Sequence, residues 1–179
     1  MTIPRPRLAP RFLFLFAMAI AASLGTSQAT LEAAAPNASR TFDPVAFFTG
    51  STESRGTLKK TLSAKQATHV TGTGTVRADG QLIIDQVVRI EGEKMQTRRW
   101  QLREVKPGNY TGTISDAKGL ITAAAAGNQL MIKYKMKDGG MSVSQVLTAA
   151  ADGRSVHNAM KIRKFGIVFA TIDETIRKI

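Results

Sequence analysis

Paired turn residues recur along most of this chain and leave room only for short strands between them. Asp79-Gly80, Glu91-Gly92, Pro107-Gly108-Asn109, Asp116 to Gly119, Gly127-Asn128, Asp138-Gly139-Gly140 and Asp152-Gly153 all supply residues that accept tight-turn backbone angles. They delimit strands near 68–78, 81–90, 94–105, 110–115, 120–126, 129–137, 141–150, 154–163 and 167–178. Sequential strands joined by short hairpins predict an all-β, antiparallel up-and-down barrel of eight or nine strands. Closure of such a barrel removes unpaired edges.

Side-chain parity supports this reading, because residues two apart on a strand share a face. Leu130, Ile132, Tyr134 and Met136 fall on one side of their strand, with Lys133, Lys135 and Lys137 on the other. Leu82, Ile84, Val88 and Ile90 form a second apolar set, and Val168, Ala170, Ile172 and Ile176 a third. Lysines opposite apolar faces fit an apolar inside and a polar outside. A lipid-facing barrel needs aromatic girdles, for which this chain offers only Trp100, Tyr110 and Tyr134.

The amino-terminal part reads differently. Arg5, Arg7 and Arg11 precede the apolar run Phe12 to Ala22, and small residues around Ser27 to Ala29 follow, which predicts a secretory signal peptide over 1–29. An uncleaved membrane anchor is the rival reading. Residues 30–41 form a small, polar, proline-bearing flexible leader, and 42–179 a single β-barrel domain with a short amino-terminal helix. Asp43 can cap that helix, Pro44 suits its first position, and Gly50 can end it. The expected location is the periplasm or the medium, after cleavage near Ala29.

Composition narrows the chemistry. The chain has no cysteine, which excludes a thiol nucleophile, a cysteine metal site and an acylated amino-terminal cysteine. His69 and His157 are the only histidines, so no histidine cluster has metal-ligand spacing, and no metal or cofactor is expected. Ser155, His157 and Asp152 lie too close in one strand to establish a triad, Gly72-Thr73-Gly74 precedes no helix, and Glu91 with Glu93 merely flanks a turn. Beyond residue 29 there are 22 basic residues against 13 acidic, a charge of +9. That favours anionic surroundings, such as the surface of a cell envelope, with no specific nucleic-acid signal.

Polar residues on the inward parity carry more information. Gln86, Asn158 and Glu174 each interrupt an apolar set, and Arg98 shares a face with Trp100 and Leu102. They form either a satisfied internal network or the polar anchors of a cavity with Trp100 and Tyr134 as aromatic walls. Arg98, Trp100, Tyr134, Asn158 and Glu174 are therefore the candidate ligand-binding residues, with Arg98 expected to meet an anionic ligand group or else pair with Glu174.

Phe47-Phe48-Thr49-Gly50, Arg98-Arg99-Trp100, Tyr110-Thr111-Gly112, Asp116 to Gly119, Gly127-Asn128, and Asn158 followed by Lys164-Phe165-Gly166 together resemble an uncharacterised bacterial envelope family of unknown function with a lipocalin-like, calycin-type barrel. The resemblance implies a barrel with an interior cavity and brings no activity with it. Two functions follow as expectations. One is an exported, non-enzymatic binding protein holding a small, largely apolar or anionic lipid-like ligand, such as a fatty acid. The other is a structural or interaction protein of the envelope with a filled core and a basic surface. A void of about 300 Å³ separates them.

Overall fold

Alternation of inward small or apolar residues with outward charged ones runs through ten strands in the computed structural model, which describes residues 41–179. A single helical turn α1 (Pro44–Phe48) is followed by β1 (Gly50–Lys60), β2 (Lys65–Val76), β3 (Leu82–Ile90), β4 (Gln96–Lys106) and β5 (Asn109–Ile114). Then come β6 (Ile121–Ala126), β7 (Gln129–Lys135), β8 (Met141–Ala149), β9 (Ser155–Lys164) and β10 (Ile167–Lys178). Each strand pairs antiparallel with its sequence neighbours, and β1 pairs with β10 to close the barrel. The expected signal peptide and all but the last residue of the expected leader lie outside the described residues.

The barrel thus has ten strands, against the eight or nine read from the sequence, and the additional one is β1. Its inward positions are Thr52, Ser54, Gly56 and Leu58, so three of the four carry no apolar side chain of any size. A search for apolar alternation passes over such a strand. Its outward residues Glu53, Arg55 and Lys59 do alternate, and this charge pattern is the trace it leaves in the sequence.

The inward sets of the other strands meet as the parity predicts. Leu82, Ile121, Leu130, Leu147 and Val156 are fully buried, each worth roughly 1.5–3 kcal/mol of transfer free energy. Gln86, Arg98, Asn158 and Glu174 all lie on the inward parity as well. Val168 is the exception in the third apolar set. A shift of register between Val168 and Ala170 breaks the alternation there and turns Val168 outward.

One end of the barrel is plugged. Asp43 Oδ1 accepts from the amides of Val45 and Ala46 at 2.9 and 3.0 Å and starts α1. The turn carries Phe42, Phe47 and Phe48 into the core, with Phe47 and Phe48 ring edge against ring face at 4.9 Å. Phe42 N donates to Gly127 O, and Lys178 Nζ to Ala46 O, tying the plug to the β6–β7 turn and to β10. Gly74 makes this seat possible: a Cβ there would stand 1.8 Å from Phe48 O.

Gly74→Ala should therefore displace the plug, since a backbone carbonyl cannot swing aside as a flexible side chain can. A urea midpoint lowered by about 1–3 kcal/mol of stability is the expected result. An unchanged midpoint would mean that α1 is not seated there.

Candidate functional site

Inside the barrel, the residues that do not fill the lumen bound a cavity. It runs from Phe48 at the plugged end, past Trp100 and Leu130, to Ile90 and the exposed Gln96 near the opposite end. Its volume is about 100 Å³. This is well short of the roughly 300 Å³ at which small-molecule sites begin. A second hollow of about 410 Å³ on the outside of β1–β3, beside Arg55, His69 and Arg89, is a shallow surface depression.

The wall has two kinds of surface. Most of it is apolar, from Ile84, Val88, Leu147, Met160, Ile172 and Ile176. The rest is hydrogen-bonding, and much of that comes from β1 and β2, where Thr52, Ser54 and Thr68 are buried. Ser54 Oγ, Thr68 Oγ1 and Gln145 Oε1 line the cavity and have no hydrogen-bond partner among the described residues. Asn158 Oδ1, close by on β9, is in the same condition. Buried polar groups are nearly always partnered, and leaving one unmatched costs about 1–3 kcal/mol. Four around one lumen give it a hydrogen-bonding surface that water or a ligand can meet.

The sequence-derived residues divide. Arg98, Trp100 and Glu174 line the cavity, whereas Tyr134 and Asn158 support it from behind. Trp100 Nε1 donates to Gln86 Oε1 at 2.8 Å, which satisfies the inward Gln86. Tyr134 packs edge-on against Trp100, with ring centroids 6.1 Å apart. Asn158 Nδ2 donates to Glu174 Oε1 at 2.7 Å. Arg98 does not pair with Glu174 as expected; it reaches Asp116 at 2.8 Å instead. Asp116 sits in the turn after β5, which no parity argument places beside β4.

Thr52, Ser54, Thr68 and Gln145 were not singled out from sequence. The first two lie on the unrecognised strand, and hydroxyls in threonine-rich β text read as surface. Gly56, the next inward position of β1, sets how near β10 can come. A Cβ on it would lie 2.3 Å from Glu174 Cβ, so its hydrogen lets β10 approach. Ser155 donates to Asp152 at 2.6 Å while His157 contacts Asp173, so these residues build a turn and an exposed pair in place of a triad. Among the described residues, no three His, Asp or Glu side chains gather as metal ligands.

The comparisons with known proteins join this geometry to a family. A family model described as a protein of unknown function, DUF3833, matches residues 20–178. The chain belongs to the DUF3833 family. None of the curated proteins matches it. Among solved structures, the DUF3833 barrel is similar to the S-type phycobiliprotein lyase CPES of Guillardia theta, with a TM-score of 0.58 and 7% identity over 75% of this chain and 90% of that one. It is also similar to a DUF3598 protein of unknown function from Nostoc punctiforme, with a TM-score of 0.55 and 11% identity, covering 82% of this chain and 53% of the other. At such identities the likeness shows the fold alone, a lipocalin-like barrel. It also corrects the expectation that the chain is no enzyme. A lyase is built on this barrel, so the lack of hydrolase and metal motifs does not exclude catalysis.

The DUF3833 barrel buries both tyrosines of the chain, Tyr110 and Tyr134, and desolvation pushes each phenol up from 10.0 to about 12. Each fold-bound phenol holds its proton more tightly than in the unfolded chain. The stability this gives is complete below pH 10 and is lost as pH rises toward 12. Ultraviolet titration should show little tyrosinate until the pH approaches 12 or the fold opens. A full tyrosinate step centred on pH 10 in folded protein would contradict the packing around Trp100.

Proposed function

We propose that the lumen binds a slender, largely apolar lipid with a neutral polar end, its chain along the aliphatic wall and that end against the β1–β2 hydroxyls. The observation that carries this reading is the set of buried polar atoms around one cavity with no partner from the protein. A merely filled core would leave those atoms unmatched at a cost with no return. A cavity this narrow favours a single chain over a fused-ring ligand, and its walls must give way to admit one.

The charge of the lining favours a neutral head over an anionic one. Arg98 is neutralised by Asp116, and Glu174 leaves the wall with a carboxylate beside Asn158. Hydroxyl donors at Ser54 and Thr68 with the amide oxygen of Gln145 suit an alcohol, ester or amide. A fatty carboxylate would stand beside Glu174 and be repelled. The lyase named among the similar structures acts on a phycobiliprotein, and catalysis on a bound ligand is open to this barrel as well.

Export belongs to the same reading. The basic and apolar segments before Ala29 support delivery to the periplasm or medium, and the remainder would act there as a barrel domain. Amino-terminal sequencing of protein from its own host should find a chain beginning near Thr30, and retention of Met1 on a cytoplasmic protein would remove this part.

Ser54→Ala and Thr68→Val test the site itself, because each deletes an unpartnered hydroxyl at little change of shape. Affinity for a monoacylglycerol should fall about tenfold for each, the worth of one neutral hydrogen bond, while thermal stability holds or rises. Wild-type protein should prefer the monoacylglycerol to the fatty acid of the same chain length. Equal affinity in these two variants would move the polar end elsewhere, and no binding of either lipid by wild type would remove the proposal.

A further inference from the structure

Bulky apolar side chains stand exposed at the barrel end opposite α1. Hairpins alternate ends in an up-and-down barrel, so the β1–β2, β3–β4, β5–β6 and β9–β10 turns all lie at that end. Their tips carry Leu62, Met95, Leu120 and Phe165, with Leu62 fully exposed at 101% and Phe165 at 88%. Ile167 and Phe169, at the start of β10, extend the patch. The β1–β2 and β9–β10 hairpins are tied side by side, Thr61 N donating to Phe169 O at 2.9 Å and Thr61 Oγ1 to Val168 O at 3.1 Å.

Leu62 and Phe165 are also the only non-glycine residues with positive φ among the described residues, at 62° and 52°. A bulky side chain in the left-handed region is uncommon, since asparagine or glycine would sit there at lower cost. Two adjacent turns thus accept backbone strain and solvent exposure together to present a large apolar group. Strain of that kind is kept where it serves contact with something else.

Charge says what that something is. Every tip has a lysine within three residues besides Lys60, which Glu93 holds: Lys59 and Lys65 beside Leu62, Lys94 beside Met95, Lys118 beside Leu120 and Lys164 beside Phe165. Lys164 Nζ lies 5.8 Å from the Phe165 ring centroid. The acidic groups of this end are largely engaged. Glu93 pairs with Lys60, Asp116 with Arg98, and Glu91 accepts from the Ala67 amide, which leaves Asp138 in the β7–β8 turn. At the plugged end, Arg77, Asp79, Arg103, Glu104, Asp152 and Arg154 mix both signs.

We infer that the open rim of the barrel docks on an anionic lipid bilayer, Leu62 and Phe165 entering the headgroup boundary while the neighbouring lysines meet lipid phosphates. Apolar insertion and basic attraction reinforce one another in such binding. The cavity mouth beside Gln96 then faces the bilayer, which gives a lipid a short way in. Docking goes beyond the cavity reading and does not need it.

The chain has no cysteine, so single cysteines report one position at a time. Leu62→Cys, Met95→Cys, Phe165→Cys and, at the other end, Val105→Cys would each carry an environment-sensitive dye and be titrated with phosphatidylcholine vesicles with or without phosphatidylglycerol. Dyes at 62, 95 and 165 should shift to the blue on the anionic vesicles only, in a salt-sensitive way, and the dye at 105 should not. Leu62→Asn with Phe165→Asn should raise the lipid needed for half the response at position 95 about tenfold or more, with an equal or higher melting temperature. Ser54→Ala should leave the response unchanged, so failure of the cavity reading and failure of docking are separate results. Silence at all rim positions, an equal response at 105, or a rim response that grows with protein concentration without vesicles would overturn the inference, the last by showing a second copy of the chain as the occupant.

Discussion

Pairing of β1 with β10 is the constraint on which the rest of the barrel depends. It runs from Thr52 opposite Lys178 to Lys60 opposite Ala170, and without it both strands would be long open edges. A strand held so firmly by backbone bonds on both sides needs little apolar side-chain burial of its own. That freedom is what lets β1 turn Thr52, Ser54 and Gly56 inward. The seam that closes the barrel is therefore also the polar wall of its cavity, and Gly56 is where structural and functional demands meet, since it admits β10 and brings Glu174 to the lumen.

How much of this the sequence disclosed depends on how each residue announces itself. Strands with apolar alternation, such as Leu130 to Tyr134, were legible because burial selects their side chains. The inward placement of Gln86, Arg98, Asn158 and Glu174 followed from the same parity. β1 was not legible, because its inward side chains are small and polar and only its outward charges alternate. Val168 was misplaced because one irregularity in pairing resets parity beyond it. The partner of Arg98 was hidden for another reason: Asp116 lies in a turn, and turns have no period.

The two ends of the barrel answer to different physics. At the plugged end, three phenylalanines are removed from water and held by a capped helical turn, a hydrogen bond to Gly127 and a lysine from β10. At the open end, side chains of similar character remain in water on strained turns ringed by lysines. Burial accounts for the first arrangement entirely. The second gains nothing from folding, and its explanation lies outside the barrel.

That the lumen holds a ligand is the central claim, and the sole tryptophan of the chain stands in its wall. The most direct test is titration of Trp100 fluorescence with a monoacylglycerol brominated along its chain, bromine quenching indole only on contact. Saturable quenching at one lipid per protein, reversed by the unbrominated lipid, is the predicted result. Quenching that is absent, or that rises linearly without saturation as for chance collisions, would mean that the barrel is filled by its own side chains.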